Sequence, residues 1–133
     1  MIFIDSNIPM YLVGADHPLK VDTQLTLERV IASREKLVTD AEVIQEILHR
    51  YISINRREAI EPALNLLLQI ADDVFPIDKI DVLRASEIIH HPAQLSARDA
   101  LHVAVMERYG VGSIFSFDGD FDRWRGIHRI PSR

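Results

Sequence analysis

Short apolar runs alternate along the chain with longer stretches of helical spacing. Runs at residues 2–4, 37–39 and 113–117 have the length of buried strands; a briefer, peripheral strand is predicted at 74–77 and a last short one at 126–130. Between them, apolar residues recur every three or four positions, which is typical of helices. This alternation predicts an α/β fold in three layers, with a mainly parallel central sheet flanked by helices.

Capping signals mark the ends of several predicted helices. Residues 39–42 have the pattern of a capping box with Thr39 as N-cap, and similar boxes at 78–81 and 96–99 open two later helices. Gly110 is the expected C-cap of the last helix. Pro62 either kinks a helix predicted at 55–71 or marks its true start.

Length and composition limit the class of protein. The 133 residues are most simply a single domain, residues 1–133, and the absence of cysteine excludes thiol catalysis and cysteine-bound zinc. The first residues do not have the form of a signal peptide, and no apolar run approaches the length of about 20 residues that spans a membrane. We therefore expect a cytoplasmic protein with no membrane segment.

The charge balance bears on the partners of the protein. A net charge of −5, from 15 basic and 20 acidic residues, argues against nucleic-acid binding, because phosphate contacts normally require a basic surface. The objection weakens if several of the acids hold a divalent cation, which reverses the local field.

Four acidic residues stand at the edges of predicted elements. Asp5 ends the first apolar run and Asp118 follows the last strong one, while Glu46 lies in one amphipathic helix and Asp99 opens another. A parallel α/β sheet gathers such positions at the carboxyl edge of its strands, where open sheets bind ligands. Carboxylates that meet there require a cation.

Each of these acids also has a simpler explanation. Asp5 suits a turn or a helix cap, Asp99 lies in a capping box, and Glu46 has Arg50 four residues later as a surface partner. Glu42 competes with Glu46 as the second acid of the site, but the Glu42 side chain is expected to reach back to the N-cap residue Thr39 in the capping box. Glu46 has no such role and falls at the flank of the apolar helix face, so Glu46 is favoured.

The acids near the end of the chain resemble a calcium loop only in part. Asp118, Asp120 and Asp122 match the first three ligands of an EF-hand. The sixth and twelfth positions, however, hold Arg123 and Arg129 in place of the required glycine and glutamate. The segment is better interpreted as a turn that places Asp118 at the sheet edge.

Four motifs in order carry a resemblance to a known family. They are Asp-Ser-Asn at 5–7, the segment 37–46 ending in Glu46, the helix start at 96–102, and Ser-Phe-Asp at 116–118 followed by Phe121. With these motifs the whole chain resembles PIN-domain ribonucleases, and most closely the toxins of bacterial VapBC toxin-antitoxin pairs. Many relatives have threonine where this chain has Ser116, which keeps the hydroxyl group.

The resemblance implies a site and a reaction. Around one or two Mg²⁺ or Mn²⁺ ions it places the acidic quartet Asp5, Glu46, Asp99 and Asp118, with Asn7 and Ser116 as polar helpers. Asp120 and Asp122 are candidates for an extra ligand that the family pattern does not specify, and the alternative for both is a solvated loop charge. Two carboxylates about 4 Å apart repel by roughly 4 kcal/mol at an effective dielectric of 20, so such a quartet binds metal or protons. The expected reaction is endonucleolytic RNA cleavage by water, which leaves a 5′-phosphate and a 3′-hydroxyl.

The resemblance also implies partners. These are an RNA substrate, a second copy of the chain in a homodimer, and a cognate VapB-type antitoxin docked in a groove lined by the first four helices. Candidate RNA contacts are Arg50, Arg56, Arg57, Arg98, the C-terminal arginines Arg123, Arg125, Arg129 and Arg133, and the aromatic residues Tyr11 and Trp124.

Two other functions compete with the nuclease. A PIN-like module that binds RNA or a partner without cutting would keep the fold and need no metal. A receiver domain on a similar sheet would need acids clustered before Asp5 and a lysine after the last main strand, and the chain has neither.

Overall fold

A five-stranded sheet forms the centre of the computed structural model, which describes residues 1–132. Every pair of neighbouring strands in it is parallel. The strands are β1 (Ile2–Ile4), β2 (Leu37–Asp40), β3 (Asp73–Phe75), β4 (Ser113–Phe115) and β5 (His128–Ile130), in the spatial order β3-β2-β1-β4-β5.

Six helices flank this sheet in the described part of the chain. They are α1 (Asn7–Val13), α2 (Lys20–Ala32), α3 (Ala41–Ser53), α4 (Ile60–Ile70), α5 (Lys79–Ile88) and α6 (Ala97–Tyr109), and short 3₁₀ helices lie at Arg57–Ala59 and Gly119–Arg123. The predicted three-layer α/β architecture is confirmed. The described part includes no helix long and apolar enough to cross a membrane.

The strand order places β1 and β4 side by side at a change of direction in the chain. From β1 the chain builds the sheet outward through β2 and β3, and then returns to the other side of β1 to add β4 and β5. Loops that leave the two central strands diverge at such a point and open a crevice at the carboxyl ends of the strands. Residues after Ile4 and after Phe115 therefore face the same crevice.

The two central strands are buried on both faces. Phe3, Ile4, Ile114 and Phe115 have no exposed surface, as expected for parallel strands covered by helices. Helix α6 is also deeply buried, because its segment from Ala100 to Met106 is apolar on more than one side. A rigid core thus lies directly beneath the crevice.

Several predicted boundaries differ from the structure. The capping box with Thr39 as N-cap is wrong: the N-cap of α3 is Asp40, whose side chain accepts a hydrogen bond from the Val43 amide at 2.9 Å. Thr39 belongs to β2 and donates to the Ile4 carbonyl instead. Pro62 lies in the first turn of α4, so it marks a helix start rather than a kink.

Other boundary signals agree with the structure. The Asp78 amide donates to the Asp81 carboxylate at 2.8 Å, as in a capping box, and the Ser96 hydroxyl accepts from the Asp99 amide at 3.1 Å. Gly110 ends α6 with a φ of 72°, the left-handed conformation that favours glycine. Arg133, counted among the candidate RNA contacts, lies outside the described residues.

Candidate metal centre and active site

A cleft of about 410 Å³ opens at the carboxyl edge of the sheet, within the usual size range of ligand sites. Acidic residues and their neighbours from four separate segments line it: Ser6, Asn7, Met10, Tyr11, Glu46, Arg50, Ser96, Arg98, Asp99, Asp118 and Asp120. A larger hollow of about 680 Å³ lies beside α2 and the first residues of β1 and β5, but it contains none of the predicted site residues. The chemistry is therefore concentrated in the smaller cleft.

Asp5 forms the floor of the site. It follows β1 directly, is 4% exposed, and accepts hydrogen bonds from the Ser6 amide at 2.8 Å and from the Ser116 hydroxyl at 2.5 Å. The Asn7 amide group donates to Ser116 at 3.2 Å and approaches Asp5 at 3.5 Å. The polar residues predicted to assist Asp5 are thus in contact with it and orient its carboxylate.

Asp99, Asp118 and Asp120 form a second group on the open side of the cleft. One carboxylate oxygen from each lies within 4.8 Å of the others. Asp99 reaches this position from the first turn of α6, and Asp118 from the N-cap of the 3₁₀ helix, where it accepts from the Asp120 amide at 2.9 Å. Asp120 also pairs with Arg123, which offsets part of its charge.

Glu46 connects the cleft to a buried histidine. One oxygen of its carboxylate accepts from the Ser6 hydroxyl at 2.9 Å, and the other accepts from Nε2 of His102. On the far side of the ring, Nδ1 of His102 donates to Asp40 at 2.8 Å. Both His102 and Asp40 have no exposed surface. A carboxylate–imidazole–carboxylate chain therefore lies immediately beneath the site.

The pKa values of the acids in the site indicate negative charge that the neighbouring side chains do not fully balance. Burial raises the pKa of Asp99 to about 7, with further contributions from the charges of Asp118 and Asp5, and burial raises the pKa of Asp5 to about 6. Burial alone would lower the pKa of His102, but Asp40 and Glu46 raise it well above its usual range. The same histidine lowers the pKa of Glu46 against the opposing effect of burial. A bound cation would therefore be most stabilising on the Asp99 side of the cleft.

The donor set suits a hard divalent cation. Carboxylate, amide and hydroxyl oxygens are the groups that Mg²⁺ and similar ions prefer. Neither a thiolate nor a ring nitrogen with a free lone pair faces the cleft among the described residues. A divalent ion would relieve the repulsion that raises the pKa of Asp99 and Asp5.

Asp122 and Glu42 do not line the cleft. Asp122 accepts two hydrogen bonds from the guanidinium of Arg129, both at 2.9 Å, so the structure gives it a structural partner in place of a metal-facing position. Glu42 borders a separate apolar hollow next to α5 and α6. Its neighbour one helical turn later, Glu46, faces the cleft, which supports the preference for Glu46.

The candidate RNA contacts also divide into residues that line the cleft and residues that lie outside it. Arg50, Arg98 and Tyr11 line the cleft. Arg56 pairs with Glu58, and Trp124 packs its ring edge against His91 outside the cleft. Arg129 is only 6% exposed, so its inclusion among surface arginines for RNA was wrong.

Sequence reasoning missed the contacts of His102 and Asp40. His102 is fully buried between two acids. One usable signal was present: Asp40 is the last residue of β2 and Asp5 directly follows β1, so both belong to the same sheet edge. The spacing of 62 residues between Asp40 and His102 gave no hint of their contact.

Comparison with known proteins agrees with this fold and site. Residues 2–127 match the family model described as the PIN domain. Ribonuclease VapC13 of Mycobacterium tuberculosis is 52% identical over 130 residues, covering 98% of this chain and 99% of that protein. Ribonuclease VapC23 of the same species is 39% identical over 118 residues, covering 89% and 93%. The chain therefore belongs to the PIN-domain family and, at this identity, to its VapC group.

Solved structures of more distant proteins share the fold. VapC20 of M. tuberculosis, described as a toxin that cleaves the sarcin-ricin loop, superposes with a TM-score of 0.75 at 23% identity, over 96% of this chain and 97% of that one. A chain from the VapBC2 complex of Rickettsia felis, solved with promoter DNA, gives a TM-score of 0.72 at 14% identity, over 97% of both chains. At these identities the likeness concerns the fold alone.

Proposed function

We propose that this protein is the toxin of a toxin-antitoxin pair, a metal-dependent endoribonuclease that acts on RNA in the bacterial cytoplasm. The observation that carries the proposal is the position of Glu46, Asp99 and Asp118 on the wall of one cleft at the switch point of the sheet, with the buried Asp5 beside the lining residues Ser6 and Asn7. Close relatives named ribonuclease VapC support the choice of RNA as substrate.

We assign the metal to Mg²⁺ or Mn²⁺, held by the same four acids. Asp99 and Asp118 are partly exposed at the cleft wall, whereas the buried Asp5 accepts a hydrogen bond from Ser116, to which Asn7 donates. Asp120 lies close enough to contribute a further oxygen. Such an ion, when bound, acidifies a water molecule and stabilises charge on the phosphate and the leaving oxygen.

The protein side chains supply position and charge for this reaction. The fixed carboxylates orient the attacking water in line with the phosphodiester bond, and Arg50 and Arg98 at the cleft wall attract the phosphate backbone. Because water rather than the ribose 2′-hydroxyl attacks, we expect a 5′-phosphate and a 3′-hydroxyl at the cut.

Cleavage assays with matched variants test this proposal. Purified protein with Mn²⁺ should cut RNA from a panel of ribosomal, transfer and messenger RNAs, and EDTA should abolish the cut. Asp5→Asn and Asp99→Asn should lower the rate by at least about a hundredfold, because each removes a charge from the metal site. Asp16→Asn, at an exposed acid outside the cleft, should cut normally. A 2′,3′-cyclic phosphate end would exclude the mechanism.

The competing function is a PIN-like module that binds RNA or a partner without cutting it. For such a module, expression of Asp5→Asn or Asp99→Asn in a bacterial host should be as toxic as the wild type. We expect both variants to be harmless, since the toxicity of an RNase requires the metal site.

Partners are proposed from the exposed apolar residues of the protein. Val21, Leu25 and Leu68, on α2 and α4, are each more than half exposed and suit an antitoxin helix docked in the groove of the first four helices. Homodimer formation is proposed through α5 and its C-terminal end, where Ile80, Val82, Leu83 and Ile89 are exposed.

A further inference from the structure

Two buried residues with no part in the proposed reaction form a hydrogen-bonded chain that ends on Glu46. The chain runs from Asp40 at the end of β2, through both ring nitrogens of His102 on α6, to one oxygen of the Glu46 carboxylate on α3. Three separate elements thus meet at a single side chain of the cleft. Asp40 is itself fixed, because its other oxygen caps α3 at the Val43 amide.

The geometry argues against His102 as a metal ligand. A histidine binds metal through a ring nitrogen with a free lone pair. Here each nitrogen faces a carboxylate oxygen, and the ring packs against Phe3 with centroids 5.3 Å apart. Neither nitrogen is directed into the open cleft, although His102, Asp5 and Glu46 lie close enough together to suggest a ligand triad.

Glu46 is the acid that most needs such support. Glu46 lies in the interior of α3, whereas Asp99 stands in the first turn of α6 and Asp5 and Asp118 follow strands. A free glutamate side chain has many rotamers, and fixing it in one of them costs conformational entropy. His102 and the Ser6 hydroxyl each donate a hydrogen bond to one of its oxygens, so the side chain is already ordered in the folded protein before an ion binds.

We propose that His102, backed by Asp40, is a positioning residue that fixes the Glu46 carboxylate for the metal site. The inference rests on the proposed function in taking Glu46 as a ligand. Outer residues that orient a ligand in this way typically contribute about 10- to 100-fold to metal affinity or activity.

Two substitutions of the same residue separate the two hydrogen bonds. His102→Gln keeps a donor near the position of Nε2, which contacts Glu46, whereas His102→Asn keeps one near Nδ1, which contacts Asp40. Calorimetric titration with Mn²⁺ should raise the Kd by at least about tenfold for His102→Asn and by less than about threefold for His102→Gln. On RNA, kcat should fall in the same order while KM stays close to that of the wild type.

Controls relate the effect to Glu46. Glu46→Gln should weaken Mn²⁺ binding as much as His102→Asn, and the double variant should be no worse than Glu46→Gln alone, because both changes remove one interaction. His49→Gln, at an exposed histidine, and Val103→Ala, a destabilising change in the buried part of α6, should leave Mn²⁺ binding unchanged.

The outcomes that overturn the proposal are distinct. Equal losses for the Gln and Asn variants would show that the imidazole charge or the ring acts instead of the hydrogen bond to Glu46, and additive losses in the double variant would place His102 on a separate function. A larger loss for His102→Gln than for Glu46→Gln would identify His102 as a direct ligand. Since Mn²⁺ binding is measured without RNA, failure of the wild type to cut RNA would reject the proposed enzyme and still leave the positioning role decided.

Discussion

The Asp99→Asn variant is expected to stabilise the metal-free protein while it destroys the metal site. The pKa of Asp99 is raised from its usual 3.8 to about 7 by burial and by the neighbouring charges of Asp118 and Asp5. At about 1.4 kcal/mol per pH unit this difference corresponds to an upper limit of about 4 kcal/mol. Because Asp99 is only partly buried, screening by solvent reduces the expected effect to about 2 kcal/mol.

The effect has a defined dependence on pH. A raised folded-state pKa means that the folded protein holds the proton more tightly than the unfolded chain, so stability falls as pH rises from 3.8 towards 7. Asparagine has no proton to lose. The gain from Asp99→Asn should therefore be about 2 kcal/mol at pH 8, less than about 1 kcal/mol at pH 5, and absent below pH 3.8.

Urea denaturation in EDTA, followed by circular dichroism at pH 5 and pH 8, measures this gain directly. Asp16→Asn is the matched control, since it removes the same charge from an exposed position outside the cleft and should shift stability by less than about 0.5 kcal/mol. With saturating Mn²⁺ the order should reverse, because the wild type binds the ion and Asp99→Asn does not. Equal or lower stability of Asp99→Asn in EDTA at pH 8 would refute the assignment of unmet charge to this cleft.

Four further outcomes follow from particular contacts. Asp118→Asn should reduce by at least half the rise in melting temperature that Mn²⁺ produces in the wild type, as measured by thermal scanning; an undiminished rise would exclude Asp118 as a ligand. Arg129→Met should destabilise the protein by about 2 kcal/mol, because the hydrogen bonds of the buried Arg129 to two carbonyls and to Asp122 are lost. Asp122→Asn should leave Mn²⁺ affinity unchanged, and a weakened affinity would show that Asp122 contributes to the metal site. Leu83→Glu should convert a dimer to a monomer in light scattering, and a persistent dimer would place the interface elsewhere.

Local sequence patterns anticipated much of the fold because the interactions that define it are local. Apolar runs produced the buried strands, and the capping signals at 78–81, at 96–99 and at Gly110 correspond to observed helix ends. Thr39 failed as an N-cap for a physical reason: β2 extends by one residue through its pairing with β3, so the hydroxyl faces the sheet and Asp40 takes the cap. Tertiary pairing outweighed the local signal there.

The site shows the same division. From sequence alone, Asp5, Glu46, Asp99 and Asp118 could be selected as candidates, because each stands where a strand ends, where a helix begins or at the flank of a helix face, and these positions depend on the local pattern. The contacts among residues distant in the chain were decided only by the tertiary structure. In the folded protein Asp122 pairs with Arg129 and Asp120 lies near Asp99. Asp40, His102 and Glu46 form a hydrogen-bonded chain in the interior, which no local pattern predicts. Hydrogen-bond partners and pKa depend on the distances and burial that folding creates, and a sequence pattern contains neither.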